Sequence, residues 1–221
     1  MGILSKIAEL LYPEKCIFCG KILDDGRKGA CPECGASLPA AEGRRAVSEG
    51  NFYSVCVCPF YYEGKVREAV HRFKFRGRSG YAAYFAEYMA ESVAENIERQ
   101  IDVISFVPVS RKRLAERGYD QAKLLAEKTA DMLGLPFMPL LIKERDNPPQ
   151  SGIDGAEKRR ANVLGAYRVT DPDYVGGKRI LLVDDVCTTG ATMGECAKTL
   201  LLCGAEEVFG AAIAKTRQGD I

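Results

Sequence analysis

Residues 180–192, ILLVDDVCTTGAT, constrain this chain more than any other stretch. Ile180, Leu181, Leu182 and Val183 make a short apolar run of the kind that forms a buried strand. Asp184 and Asp185 follow at once, then Val186, Cys187 and the small turn Thr188, Thr189, Gly190, Ala191, Thr192, then a helix-like segment to about Leu202. A strand that ends in acids and turns through small residues into a helix N-terminus is an anion site. Its free backbone N–H groups and the helix dipole face a phosphate, and small side chains let it come close. The threonine hydroxyls add donors. The acids can bind sugar hydroxyls or hold Mg²⁺, which prefers carboxylate oxygen. The stretch has neither the lysine of a G-x-x-x-x-G-K-[ST] phosphate loop nor the G-x-G-x-x-G dinucleotide pattern. The plain alternative is a buried strand and a threonine-capped helix. Two adjacent acids weigh against it, because like charges at an apolar strand end cost energy unless a cation or hydroxyls satisfy them.

A second apolar run, DVISFVPV at 102–109, leads into Ser110, Arg111, Lys112, Arg113 and, further on, Arg117. In open α/β sheets ligands bind outside the carboxyl ends of strands. This cationic segment, read as a loop, therefore faces the same crevice as 184–192. A pyrophosphate needs such a set, arginine for forked hydrogen bonds and lysine as a point charge. Residues 65–78 read as a helix with Val66, Ala69, Val70 and Phe73 inward and a basic outer face. Lys74 and the Gly77/Gly80 breaks can bring cations to the same anion, although a basic run is commonly a solvated face. His71, the one histidine, reads as a surface or capping residue.

Basic and acidic residues number 31 and 30, so no global field draws the chain to nucleic acid or an anionic membrane. Apolar runs are too short to span a bilayer, and the first eleven residues lack a signal-peptide pattern. A cytoplasmic chain without stable membrane insertion is expected. Ile3, Leu4, Ile7, Leu10 and Leu11 fit one face of an N-terminal helix. Nine cysteines are present. Cys16-x2-Cys19 and Cys31-x2-Cys34 form a four-thiolate Zn²⁺ pattern, each pair followed by glycine (Gly20, Gly35) and with Lys21, Arg27 and Lys28 nearby. All four positions are filled by sulfur, so the metal is expected to be structural. Cys56, Cys58, Cys196 and Cys203 read as core.

Residues 39–51 read as a linker, 52–62 as strand, 80–100 as helix, 122–133 as helix, 137–142 as strand, 166–169 as strand and 207–214 as the last strand. Residues 143–160 form a long polar loop with the features of an active-site lid, carrying Lys143, Arg145, Gln150, Lys158, Arg159 and Arg160, with Asn162 just after. Alternating strands and helices predict an α/β fold with a parallel sheet flanked by helices. Residues 1–50 are expected to form a zinc module with an N-terminal helix, and 51–221 the α/β domain.

Asp184, Asp185 and Thr188–Thr192 resemble the ribose-5-phosphate loop of type I phosphoribosyltransferases. That resemblance implies that the two acids meet the ribose hydroxyls of phosphoribosyl pyrophosphate (PRPP) and that the T-T-G-x-T backbone cradles its 5′-phosphate. It also implies Mg²⁺ bound with PRPP, a mobile loop at 143–160, and displacement at ribose C1 with pyrophosphate leaving. Cys187 stands where the family more often has an aliphatic residue. The paired CxxC, the string VPVSRKRLAERGYDQAKLLAE and LLVDDVCTTGATM together resemble the ComF/ComFC competence-protein family, which includes GntX-like proteins, along nearly the whole chain. Asp120 replaces the family's usual Asn, exchanging an amide donor for a negative charge. The family resemblance implies a link to DNA uptake in natural transformation. Three readings stay open: transfer of phosphoribosyl to an unidentified acceptor, PRPP sensing without turnover, or binding of single-stranded DNA or a competence helicase. Phe73, Phe75, Tyr81 and Tyr84 lie in or after the basic run, as a stacking surface requires, although core aromatics would show the same pattern.

Overall fold

The computed structural model describes residues 13–23, 28–41, 43, 46–48, 50–144 and 165–217. Its central strand is β7 (Arg179–Cys187). Ile180 and Leu182 face one side of the sheet and Leu181 and Val183 the other, all four fully buried. A strand with no polar face must be covered on both sides. β7 pairs in parallel with β4 (Val103–Phe106) and β8 (Glu207–Lys215), so that Ile104, Leu181 and Phe209 lie side by side. Beyond β8 come β2 (Cys56–Val57) and β3 (Phe60–Tyr61), both parallel to it, and the antiparallel edge strand β1 (Val47–Ser48). The sheet order is β1-β2-β8-β7-β4, with β3 also on β8.

The expected single strand at 52–62 is two short pieces. Pro59 separates them, and proline has no N–H to give the ladder. The expected linker at 39–51 is partly sheet: Val47 and Ser48 form β1, and the Ala41 amide bonds Pro59 O at 2.8 Å. Within 137–142, Phe137 makes one bridge to Ile104, and regular pairing begins only in β5 (Leu141–Lys143), antiparallel to β6 (Tyr167–Val169).

One face of the sheet is covered by α2 (Gly64–Phe75), α3 (Tyr81–Asn96) and α5 (Gln121–Leu133), which follow a short α1 (Pro32–Gly35) in the cysteine segment. Val66, Ala69, Val70 and Phe73 of α2 are all fully buried, as the 3.6-residue pattern requires. The other face is covered by the antiparallel β5–β6 pair, the short α6 (Pro172–Val175) and α7 (Ala191–Leu202). The cationic segment after β4 is not a loop. It forms α4 (Arg111–Arg117), because the Ser110 hydroxyl accepts from the Arg113 amide at its start and Gly118, at φ +77°, turns the chain at its end.

The cysteine segment packs into the same core. Ile17 and Phe18 are fully buried, and the Phe18 ring meets Phe60 and Phe85 edge-on at 6.0 and 6.1 Å. Among the described residues no helix is long and apolar enough to cross a membrane. Residues 1–12, Arg27, Arg145, Gln150, Lys158, Arg159, Arg160 and Asn162 lie outside the described residues.

Candidate functional site

β7 carries Asp184 and Asp185 out of the core at its C-terminal end, and the chain turns through Thr188, Thr189 and Gly190 into α7. Asp184 Oδ1 accepts from the Asp185 amide at 2.7 Å. Burial pushes the Asp184 carboxyl well above the usual range, and the charge of Asp185 pushes it further. Lys74, from α2, reaches Asp185 Oδ1 at 2.8 Å, with only 17% and 13% of the two side chains exposed. A pair this enclosed is sensitive to loss of either partner.

Gly190 makes the turn possible. Its φ is +70°, and a methyl group there would lie 2.3 Å from the Tyr53 hydroxyl. The same Tyr53 ring lies where a methyl group on Gly50 would sit, so the tyrosine is wedged beneath the loop between two glycines. The first helical bond of α7 runs from the Gly194 amide to Gly190 O at 2.8 Å, so the amides before it have no intrahelical acceptor and point toward the space where an anion can sit. The Ala191 amide leans on the Thr189 hydroxyl at 3.4 Å. The Thr188 carbonyl accepts from the Thr216 hydroxyl and the Cys187 carbonyl from the Thr216 amide, each at 3.3 Å, which ties the loop to the end of β8. Cys187 points inward, where Cys56 and Cys58 hydrogen-bond to it and lower its pKa.

Asp120 caps α5. One carboxylate oxygen accepts from the Lys123 amide at 3.2 Å and the other from the Val109 amide at 3.1 Å. It therefore fixes the segment after β4 to α5. Burial raises its pKa, opposed by these amides, and the nearby Asp185 charge adds to the rise. Asparagine in the same pose would turn its NH₂ toward one of these two amides, so that donor would face donor. Arg113 and Asp184 both act on Tyr167, whose hydroxyl burial holds well above its usual pKa, and the Lys143 ammonium lies 5.4 Å from the same ring.

The other expected cations are placed differently. Arg111 and Lys112 are exposed on the first turn of α4. Arg117 is engaged elsewhere, donating to Gln121 Oε1 at 2.8 Å and lying over the Phe75 ring at 5.0 Å. A cavity of about 950 Å³ opens beside the end of β4, lined by Ser110, Arg111, Asp120, Leu141, Lys143 and Arg168 among others, but its walls include neither Asp184 nor Asp185. Tyr53, Asp120 as a cap and Tyr167 escape sequence reasoning. Tyr53 lies 137 positions from Gly190, and no spacing rule links them.

Apart from the acidic loop, Cys16, Cys19, Cys31 and Cys34 bring their sulfurs within 4.8 Å of one another, a group that can hold a metal ion. Cys19 and Cys31 Sγ are 3.8 Å apart, and the Cys31 amide donates to Cys16 Sγ at 3.4 Å. Lys65 reaches Cys34 Sγ at 3.5 Å.

Comparison with known proteins adds independent findings. Residues 120–220 match the phosphoribosyl transferase domain model. The chain is 30% identical over 200 residues to a Salmonella typhimurium protein named DNA utilization protein YhgH, covering 87% of this chain and 86% of that protein. It is 35% identical over 104 residues to the Haemophilus influenzae competence protein F, covering 46% and 45% of the two chains. It is 31% identical over 144 residues to the Bacillus subtilis competence protein ComFC, covering 64% and 56%. Among solved structures, a glutamine PRPP amidotransferase from B. subtilis aligns with a TM-score of 0.44 and 21% identity, over 65% of this chain and 30% of that one.

Proposed function

The chain belongs to the ComF family of the type I phosphoribosyltransferase superfamily, and from that premise we propose that it binds PRPP with Mg²⁺ and transfers the phosphoribosyl group to an acceptor, with release of pyrophosphate. One observation carries the reading: two adjacent carboxylates at the end of a buried strand, beside a glycine turn that opens into the N-terminus of the twelve-residue α7. Asp184 and Asp185 accept hydrogen bonds from the ribose hydroxyls. The amides and hydroxyls of Thr188–Thr192 hold the 5′-phosphate, with Val186 and Cys187, the last residues of β7, leading into the turn. Ser110, Arg111, Lys112 and Arg113 face the pyrophosphate, and Lys74 moderates the charge of Asp185. Mg²⁺ entering with PRPP would neutralise the leaving group. As the C1–O bond breaks, positive charge builds on the ribose, and the fixed carboxylates stabilise it. No protein nucleophile is needed.

The four thiols suit Zn²⁺. Tetrahedral sulfurs at about 2.3 Å from zinc lie about 3.8 Å apart, which is the Cys19–Cys31 separation of 3.8 Å. Residues 1–50 then form the metal module and 51–221 the transferase-like part; we place the protein in the cytoplasm and link it to DNA uptake, as a role beside relatives named for DNA utilization and competence. Lys143 is not part of a loop: it ends β5, paired with Tyr167, while Arg145, Gln150, Arg159 and Arg160 lie outside the described residues.

A pyrophosphate-release assay with PRPP, Mg²⁺ and a panel of acceptors, ammonia included, tests the transfer step. Release with at least one acceptor supports it, whereas PRPP binding without release across the panel assigns a sensor. A nucleic-acid reading has its own observation. Phe75 is 56% exposed, with the His71 ring at 4.9 Å and Arg117 at 5.0 Å, a pairing of aromatic and cation suited to stacked bases. Phe73 cannot share that role, because it is fully buried. Salt-dependent anisotropy with single-stranded DNA should show binding that Phe75→Ala weakens and Asp184→Asn leaves unchanged.

A further inference from the structure

α2 touches both the cysteine cluster and the acidic loop. Its Arg72 Nη2 donates to two carbonyls inside the first cysteine knuckle, Ile17 O at 2.8 Å and Phe18 O at 2.7 Å. The knuckle is tightly wound, with the Gly20 amide on Cys16 O at 2.9 Å and the Cys16 amide on Lys21 O at 2.8 Å. Two residues past Arg72, Lys74 points to the other side of the helix and grips Asp185 at 2.8 Å. Between them Phe73 is fully buried, and its carbonyl accepts from the Tyr119 hydroxyl. The helix closes with the Arg76 amide on Arg72 O at 2.9 Å. The last turn of α2 is therefore wedged between the knuckle and the end of β7.

We infer that Arg72 is a positioning residue for the PRPP site: by clamping the cysteine knuckle to α2 it fixes Lys74 against Asp185, so the thiol cluster and the carboxylates act as one unit. The inference rests on the reading of Asp185 as part of that site. A planar guanidinium suits the task, because one terminal nitrogen can direct two N–H groups at two carbonyls. Lysine could reach one carbonyl but would not hold both in the same plane. Without the clamp the last turn of α2 is held less firmly to the knuckle, Lys74 loses its fixed origin, and Asp185 is left close to Asp184 and Asp120 with its charge less well balanced.

The test titrates Mg–PRPP calorimetrically into the metal-loaded full chain and into Arg72→Ala, Arg72→Lys, Lys74→Met and the Arg72→Ala/Lys74→Met double variant. Bound zinc and melting temperature are checked for each. Arg72→Ala should raise Kd about tenfold, Arg72→Lys should recover part of the loss, and the double variant should bind no more weakly than Lys74→Met alone. Unchanged binding by Arg72→Ala, or losses that simply add in the double variant, would overturn the inference. A second readout does not need PRPP. Amide hydrogen exchange at Phe75 and Arg76 should quicken at least about tenfold in Arg72→Ala while the core of α5 keeps its protection. Unchanged exchange at these two amides overturns the inference whatever PRPP does. A wild type that fails to bind PRPP removes the PRPP reading, and the exchange result then decides Arg72's role on α2.

Discussion

Asp184 carries a cost that a purely structural residue would not. Its folded pKa is raised, so the folded chain holds its proton to higher pH than the unfolded chain does. Stability therefore falls as pH climbs from the ordinary aspartate value through the raised one. Asp184→Asn should accordingly raise the melting temperature of the ligand-free protein at pH 7, and the gain should shrink as pH falls toward the ordinary aspartate range. A scan of melting temperature against pH for the two proteins checks this, and a gain independent of pH would contradict it. Gly190 makes the converse case, since geometry alone demands it. Gly190→Ala meets both a positive φ and the Tyr53 hydroxyl, so it should destabilise by about 2 kcal/mol or more. Tyr53→Phe removes the clashing oxygen, and in that background the alanine should cost only the backbone term, about 1 kcal/mol. Denaturant titration of the four proteins gives the comparison.

At the level of elements, the site depends on how segments are tied to one another. Asp120 joins the strand-end segment after β4 to α5 by accepting from two backbone amides. Asp120→Ala should cost about 1–2 kcal/mol, as other lost helix caps do, and Asp120→Asn less, because one oxygen remains to accept. Urea unfolding of both variants measures the difference. The strands and helices that were legible in the sequence are those with an unbroken period. β7, β8, α2 and α5 fall where their apolar spacing puts them, and the acidic turn into α7 could be read residue by residue. The cationic segment 110–117 could not, because α4 buries none of its own side chains and so shows no apolar stripe; only Ser110 and Gly118 mark its ends. The two-residue strands β1, β2 and β3 are set by neighbours across the sheet and have too little length for a period of their own. Lys74 was legible as a cation near the site, but its grip on Asp185 is a tertiary fact.

On the scale of the whole molecule, the cysteine segment and the α/β sheet share one core. Ile17, Phe18, Cys16 and Cys34 are buried together with Phe60, Phe73 and Phe85. Stripping metal from the thiols should therefore lower the melting temperature of the entire chain in one transition, with no separate melting of an N-terminal module. Calorimetric scans with and without chelator would show two transitions if the segment folded independently. The cysteine knuckle and Asp185 are joined through neighbouring residues of α2, Arg72 and Lys74. The central claim is that the acidic turn binds PRPP. Its most direct test is calorimetric titration of Mg–PRPP into the wild type and into Asp184→Asn/Asp185→Asn. Saturable binding by the wild type, lost in a double variant that stays folded, is the predicted result. No binding by the wild type, or equal binding by both proteins, would contradict it.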